Sequence, residues 1–475
     1  MILVVLGRAA QFILLLVANR LVTEFLPPAE MGRLSLVTAA TGLFALFLVS
    51  PVGQFINRRL HAWDDLGRAR HYLTLHWLHL IIVCGLAALG LVLLQQLGVL
   101  SFGFSIGWLL LLICGSLFFN TINQTAIPSL NLLGFSGMFM TLTLGTIALG
   151  LLASYVNVQL FGPSAEYWLA GQLLGQLVFA AIGVWLFFGH LRPATTPQPF
   201  SRDKLMAMFN FAWPVALASG FSWLQSQGYR LVSVDALGLA PLGLFVAGYG
   251  IAAGLMAAFE SILTTYFQPR FYRSINRGAG DRSAAWTFYA SAFVPSVVLV
   301  TCFLAALAPE LTRFLVGPDY RSASQFVIWG VLAESARVLV GVYSMSAHAE
   351  MKTSLLLWPN ALGAILCIGL VWLLVPGYSA AGVGIARVAS GLALLVAVHH
   401  VTVGTLRMGF PYGLASKGLL LGGLLYGVVA LMRDPLGSDG GSYVSAGALI
   451  MVAGLILLGM LIWLLLPFVR TRAAR

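Results

Sequence analysis

Apolar residues fall along this chain in blocks of about 20 or more, the length an α-helix needs to cross a bilayer. Polar and charged residues collect in the short segments between the blocks. This pattern predicts an all-α, polytopic membrane protein with about 14 transmembrane helices. The predicted spans are 2–26, 34–56, 71–97, 105–127, 136–157, 167–189, 206–229, 241–267, 286–308, 323–347, 353–375, 378–404, 412–432 and 443–467.

A helical hairpin near the start of the chain recurs about 210 residues later. Arg20 and Gly32 in the first copy correspond to Arg230 and Gly243 in the second. Such repeats are typical of transporters that are built from two related lobes. We therefore predict two six-helix lobes around a central cavity, followed by two extra helices. The predicted divisions are an N-terminal lobe (1–190, spans 1–6), a cytoplasmic linker (191–205), a C-terminal lobe (206–405, spans 7–12) and the extra helices with a cytoplasmic tail (406–475).

Composition excludes an ordinary soluble domain. The chain is 60% hydrophobic and 9% charged, whereas soluble domains carry about 25% charged residues. The formal net charge of +11 comes from basic residues that concentrate in alternate loops. That distribution follows the positive-inside rule, so the charge reports topology rather than nucleic-acid binding. It predicts that both termini lie in the cytoplasm.

The sequence contains no motif for a catalytic or metal centre. The four cysteines fall far apart within predicted spans and form no CxxC pair. A Walker lysine motif and hydrolase motifs are absent from the sequence as well. We therefore expect a protein that is not an enzyme and has neither a metal nor an organic cofactor. Coupling to H⁺ or Na⁺ is left open.

Arginine in a membrane span costs on the order of 3 kcal/mol, so each one asks for a reason. On span 1, Arg8 and Gln11 lie on one helical face, and Arg20 lies nearer the predicted outer end. We predict that this face lines a substrate cavity. The alternative is that both arginines extend to the membrane surfaces, as long basic side chains often do.

Three later spans carry further candidates for the same cavity. On span 7, Trp223, Gln227 and Arg230 follow the i, i+4, i+7 spacing of one α-helical face. Span 8 contributes Tyr249. On span 12, Arg387 has no acidic neighbour in sequence, which favours a role in substrate binding.

Two acidic residues also lie within spans. Glu260 is on span 8, and Glu334 on span 10 precedes Arg337 by three residues. Residues at i and i+3 are neighbours on a helix surface, so Glu334 and Arg337 can pair. These groups could serve ion coupling or form structural ion pairs, and the sequence leaves both open.

Several stretches together resemble the polysaccharide-transport branch of the multidrug/oligosaccharidyl-lipid/polysaccharide (MOP) exporter superfamily. One departure is that Tyr229 precedes Arg230, where many relatives have an aspartate. The stretches that carry the resemblance are Arg20 to Gly32, Arg230 to Tyr249, Leu315-Val316-Gly317-Pro318-Asp319-Tyr320 and Ala380-Ala381-Gly382-Val383-Gly384.

The resemblance implies a flippase in the bacterial inner membrane. Members of this branch move undecaprenyl-pyrophosphate-linked oligosaccharides to the outer leaflet for surface or exopolysaccharide biosynthesis. The expected partners are the lipid-linked oligosaccharide and membrane lipids, with a polysaccharide polymerase and glycosyltransferases as candidate protein partners. On this reading, Arg20, Arg230 and Arg387 contact the pyrophosphate, and Trp223 and Tyr249 stack on sugars.

Three alternatives remain at this stage. A multidrug exporter of the same superfamily would couple to ions through Glu260 or Glu334, but an arginine-rich cavity is unsuited to lipophilic cations. A lipid II flippase would differ only in its cargo. An O-antigen polymerase or ligase is expected to have a large outer loop, whereas the largest outer connections here have about 14 residues.

Overall fold

The computed structural model describes most of the chain, and the described part is helical. It contains no strand, so the predicted all-α class is confirmed for these residues. The described residues are 2–98, 103–192, 202–275, 279–350, 352–404, 410–433 and 443–470.

The helices follow one another with short connections. The α-helices are α1 (Ile2–Phe25), α2 (Pro28–Phe44), α3 (Ser50–Asp65), α4 (Ala69–Gln96), α5 (Ile106–Leu132), α6 (Ser136–Phe161), α7 (Ala165–His190), α8 (Arg202–Trp223), α9 (Tyr229–Leu237), α10 (Leu239–Ile275), α11 (Ala279–Ala306), α12 (Ala308–Leu315), α13 (Ser324–Ala349), α14 (Leu357–Val403), α15 (Tyr412–Arg433) and α16 (Tyr443–Arg470). Two π-helical turns (Ala45–Val49 and Leu224–Gly228) and two 3₁₀ turns (Pro318–Ala323 and Thr353–Leu356) lie between them.

Eleven helical segments in the described part of the chain are long and apolar enough to cross a membrane. The Ser354–Val403 segment counts once but contains two predicted spans. Ser379 interrupts it with φ 52° and ψ −137°, a backbone conformation outside the helical region. Predicted spans 1 and 7 correspond to α1 and to α8 with α9, which are not among the eleven. These three differences account for the fourteen spans expected from sequence.

The chain forms two compact units: unit 1, Met1–Val234, and unit 2, Asp235–Arg475. Unit 1 contains α1 to α8 and the first part of α9, and unit 2 contains the later helices. The candidate residues on spans 1 and 7 therefore belong to unit 1, whereas those on spans 8, 10 and 12 belong to unit 2. The lobe limits that the sequence suggests, with a linker at 191–205, stay a prediction.

Small residues bring α6 and α7 of unit 1 into close contact. A Cβ atom at Gly175 would come within 2.6 Å of the backbone nitrogen of Gly150 on α6. Ser154 on α6 donates a hydrogen bond to the carbonyl of Trp168 on α7, at 2.6 Å. Because helices in lipid associate through packing and interhelical hydrogen bonds, these small residues fix the α6–α7 contact.

The two π-helical turns of unit 1 lie in helical segments that pack against each other: the first turn joins α2 to α3, and the second joins α8 to α9. Trp223, next to the second turn, donates its indole N–H to the carbonyl of Ala39 on α2, at 3.1 Å. A Cβ atom at Gly42 would lie 3.3 Å from that indole nitrogen, and one at Gly220 would lie 2.9 Å from the Phe47 ring. The Trp223 ring therefore fills space beside Gly42, and the Phe47 ring fills space beside Gly220.

In unit 2, α13 packs closely on both α10 and α14. Cβ atoms at Gly330 on α13 and Gly384 on α14 would overlap Ala252 of α10 and Trp329 of α13, respectively. The resulting close approach of α10, α13 and α14 buries polar side chains among the three helices. Farther along, Arg433 at the end of α15 donates to Glu310 of α12 at 2.8 Å.

Candidate functional site

Unit 1 contains a cavity of about 670 Å³ that is lined by α1, α3, α5, α6 and α7. Arg8 is the one charged side chain among the described residues that line it. Most of the other polar lining groups are carboxamides: Gln11, Asn57, Asn120, Asn123, Gln124, Asn131, Gln172 and Gln176. Thr143 and Thr146 add hydroxyl groups. The cavity therefore combines many neutral hydrogen-bonding groups with a single positive charge.

Arg8 and Gln11 lie together at this cavity. Arg8 donates to the Gln11 side-chain oxygen at 2.9 Å, and its guanidinium lies 5.4 Å from the centre of the Phe139 ring. No carboxylate among the described residues of unit 1 lies within 4.0 Å of the Arg8 guanidinium. Its positive charge therefore has no acidic counterpart in this part of the structure.

Two carboxamides deeper in the cavity have oxygen atoms without a donor. Asn123 is 6% exposed and donates its Nδ2 to the backbone carbonyl of Gln176 at 2.9 Å. Asn123 Oδ1 and Gln176 Oε1 are both buried and accept no hydrogen bond from the described residues. A buried acceptor left without a donor costs about 1–3 kcal/mol, so both atoms are suited to a hydrogen-bonding guest.

Arg230 is the second residue of α9, the part of span 7 that follows the second π-helical turn. It donates to the Tyr229 hydroxyl at 3.2 Å and to the Ser35 carbonyl at 3.4 Å. Its guanidinium lies 5.7 Å from the centre of the Tyr229 ring. No carboxylate among the described residues of unit 1 lies within 4.0 Å. Tyr229 thus places a neutral aromatic ring beside the Arg230 guanidinium.

The predicted face of Trp223, Gln227 and Arg230 assumed a continuous α-helix. The turn from Leu224 to Gly228 is π-helical, with i→i+5 hydrogen bonds, so the assumed spacing does not hold across it. Trp223 is 3% exposed and packs against α2, which leaves no ring face free for a sugar in this structure. Gln227 lies within the turn, and its buried side-chain oxygen has no donor among the described residues.

Arg20 differs from Arg230 in its contacts. Its guanidinium pairs with Glu24 on the next turn of α1, at 2.6 Å. The hairpin repeat suggested equivalent roles for Arg20 and Arg230, but only Arg20 has an acidic partner on its own helix. A predicted role of Arg20 in binding pyrophosphate would have to compete with this ion pair.

Unit 2 places Arg387 and Tyr249 in a buried network rather than at an open surface. Arg387 is 7% exposed, donates to the Tyr249 hydroxyl and lies 3.8 Å from Glu334. Tyr249 donates to the same carboxylate at 2.5 Å. The sequence suggested that Arg387 lacks an acidic neighbour, but α13 supplies one through the fold.

Arg337 extends this network toward the surface of the described structure. It pairs with Glu334 at 2.6 Å and with Glu260 of α10 at 2.7 Å. The Arg337 and Glu260 side chains are 45% and 25% exposed, respectively. Two arginines and two glutamates thus balance one another across α10, α13 and α14. This is the arrangement of structural ion pairs, whereas ion coupling through the same residues stays a prediction.

Sequence reasoning singled out Arg8 and Gln11 but missed the other carboxamides. The signal was present: Asn120, Asn123 and Gln124 recur at helical spacing on span 4, and Gln172 and Gln176 do so on span 6. Taken one span at a time, these carboxamides did not indicate a shared site. Among the described residues, no cluster of His, Cys, Asp and Glu could hold a metal ion.

The fold defines the class of the protein: a multi-pass helical membrane protein. Residues 21–325 match the family described as "Polysaccharide biosynthesis protein", and the chain belongs to that family. The comparison with curated protein sequences finds no match.

Solved structures of MOP exporters have the same fold. A lipid II flippase MurJ in an inward closed conformation gives a TM-score of 0.70 at 14% identity, covering 99% of this chain and 100% of that one. An inward-facing multidrug resistance transporter of the MATE family gives a TM-score of 0.62 at 16% sequence identity. The match covers 88% of this chain and 95% of that one. A MOP superfamily transporter from Pyrococcus furiosus gives a TM-score of 0.55 at 14% sequence identity. The match covers 90% of this chain and 95% of that one. These likenesses confirm the predicted all-α exporter fold.

Proposed function

We propose that this protein is a flippase that moves an undecaprenyl-pyrophosphate-linked oligosaccharide across the bacterial inner membrane. The step serves the synthesis of a surface polysaccharide or exopolysaccharide. Membership of the polysaccharide biosynthesis family and the MOP exporter fold support this proposal. The similar MurJ structure is named as a flippase of lipid II, and we propose flippase activity for this chain as well.

The observation that carries the proposal is the pair of guanidinium groups, Arg8 and Arg230, that lack an acidic partner within described unit 1. An arginine inside a membrane span is costly, and an ion pair reduces that cost. Leaving two of them uncompensated favours an anionic guest. A pyrophosphate accepts charge-assisted, often bidentate hydrogen bonds from arginine, which makes it a suitable one.

The same charges disfavour the multidrug-exporter alternative. A lipophilic cation near Arg8 or Arg230 would meet positive charge without a described carboxylate of unit 1 to offset it. In unit 2, Glu334 and Glu260 are both engaged by Arg337, so neither is a free anionic site for a cation. We therefore propose that Arg8 and Arg230 each contact the pyrophosphate head group during transport, while its polyprenyl tail stays in the surrounding lipid.

In this proposal the protein works by alternating access, with both termini in the cytoplasm. Glycosyltransferases complete the lipid-linked oligosaccharide on the cytoplasmic side, and a polymerase uses it on the other side. Coupling of transport to H⁺ or Na⁺ belongs to the same proposal and is tested by imposing each ion gradient separately on proteoliposomes.

The experiment compares complementation of a deletion strain by wild type, Arg230→Ala and Arg8→Ala. We expect the deletion to accumulate lipid-linked oligosaccharide on the cytoplasmic side and each variant to restore export poorly despite normal insertion. Arg192→Ala is the matched control, because it removes a positive charge whose pair with Asp65 is exposed. Full surface polysaccharide with Arg8→Ala and Arg230→Ala combined would refute the proposal.

A further inference from the structure

We propose that the carboxamide-lined cavity of unit 1 is a saccharide-binding subsite, which takes neutral sugar rings of the transported glycan. The inference rests on the proposed function for the identity of the cargo. It adds a second recognition element, distinct in chemistry from arginine–pyrophosphate contacts. Contacts between arginine and pyrophosphate do not account for this lining, since Arg8 is its one charged group among the described lining residues.

The lining suits sugar hydroxyls because of the groups that it offers. Each Asn or Gln side chain has both an N–H donor pair and a carbonyl acceptor. A sugar hydroxyl also donates and accepts, so a wall of carboxamides can satisfy it in many orientations. Eight carboxamides and two threonine hydroxyls line this one cavity. Lipid tails cannot form hydrogen bonds with these carboxamides. A cation would be repelled by Arg8, and no described lining residue is a carboxylate.

The unsatisfied acceptors point to a guest that donates hydrogen bonds. Asn123 is held in place by its bond to the Gln176 carbonyl, which fixes the direction of its side-chain oxygen. That oxygen and Gln176 Oε1 are buried and lack a donor among the described residues. Two hydroxyl groups of one sugar ring could supply the missing donors, and a bound water could do so as well. Binding of the free oligosaccharide to the purified protein distinguishes these two guests.

Size and charge further define the guest. The volume of about 670 Å³ lies within the range of about 300–1,000 Å³ typical of small-ligand sites. The cavity therefore suits a short segment of a glycan rather than a whole repeat-unit chain with its lipid. Arg8 lies at the cavity with its guanidinium exposed, so it can approach the phosphate-bearing end of the same molecule.

The test measures binding of two separate probes to the full-length protein in lipid nanodiscs. One probe is the free oligosaccharide, released by mild acid from the lipid-linked pool of a deletion strain, and the other is inorganic pyrophosphate. The variant is Gln124→Met combined with Gln172→Met. Neither side chain takes part in a described hydrogen bond, so folding should tolerate the change. Gln54→Met, which removes a carboxamide outside the cavity, is the matched control.

We expect wild type and Gln54→Met to bind the oligosaccharide equally, and the double variant to bind it about tenfold more weakly, as loss of two hydrogen bonds implies. Pyrophosphate binding should be unchanged in all three. Adding Asn123→Leu should weaken oligosaccharide binding further. The subsite would be overturned if the double variant bound the oligosaccharide as tightly as wild type does. It would also be overturned if wild type bound pyrophosphate but not the oligosaccharide. Either result would indicate that water, rather than a sugar, occupies the polar cavity. Failure of wild type to bind pyrophosphate or to flip lipid-linked glycan would instead overturn the proposed function.

Discussion

Replacement of Glu334 by alanine should destabilise unit 2 strongly. The Glu334 carboxylate accepts hydrogen bonds from Tyr249 at 2.5 Å and from Arg337 at 2.6 Å, and lies 3.8 Å from Arg387. Its removal leaves the Arg387 guanidinium, 7% exposed, without that carboxylate. Breaking a buried ion pair from one side costs about 3–5 kcal/mol, because the remaining charge stays desolvated. We expect a loss of stability in that range.

The measurement is thermal or denaturant unfolding of the detergent-purified protein, followed by tryptophan fluorescence and by retention of a monodisperse peak. Glu260→Ala is the matched control, since it removes another carboxylate that binds Arg337. Glu260 is more exposed, and Arg337 would keep its bond to Glu334, so the loss should stay near 1 kcal/mol. Similar small losses for the two variants would refute the assignment of Glu334 as the centre of the network.

A combined variant tests the cause of the destabilisation. Glu334→Leu together with Arg387→Met removes both charges and replaces them with apolar side chains of similar volume. Such replacements of a buried ion pair are often neutral or stabilising, whereas the single changes are costly. We expect the combined variant to recover much of the stability lost by Glu334→Leu alone. Additive losses would indicate that shape, rather than the lost attraction between Glu334 and Arg387, sets the cost.

Two further predictions concern unit 1. Gly175→Val should sharply reduce the amount of folded protein in the membrane, because its side chain would overlap the backbone of α6 near Gly150. Gly189→Val on the same helix is the control and should be tolerated, because a Cβ atom there meets no atom within 4 Å. Immunoblots of membrane fractions measure both amounts. Arg20→Ala should reduce glycan export far less than Arg230→Ala in the complementation assay, because Glu24 already neutralises Arg20; equal losses would contradict this difference.

The order and class of the helices follow closely from sequence, because burial in lipid demands long apolar blocks and satisfied backbone groups. The break at Ser379 falls at the second residue of predicted span 12 (378–404), close to its border with span 11. The π-helical turn before Tyr229 was not foreseen, since the residues Leu224 to Gly228 are compatible with an ordinary helix. It alters the side-chain directions on span 7, so the predicted face of Trp223, Gln227 and Arg230 cannot be read from α-helical spacing, and the role of these residues stays a prediction.

Site residues were harder to predict because their partners are distant in sequence. The i, i+3 pair of Glu334 and Arg337 could be anticipated from one helix. The contacts of Arg387 with Tyr249 and Glu334 join three helices, and only tertiary packing reveals them. The carboxamides of α5 and α7 converge for the same reason. A single-helix reading assigns each polar residue by its own neighbours and so misses sites that several helices share.

The two units meet the cost of polar groups inside helices in different ways. In unit 2, Arg337 and Arg387 are offset by Glu260 and Glu334, so the opposite charges compensate one another and favour a fixed arrangement. In unit 1, Arg8 and Arg230 lack a described acidic partner in their unit, and buried oxygens of the cavity lack a described donor. Unsatisfied groups of this kind reduce stability, and a bound guest that supplies the missing anion and hydroxyl donors recovers it. Binding of the pyrophosphate-linked glycan should therefore stabilise unit 1 in particular, whereas the buried ion pairs of unit 2 should hold with or without substrate.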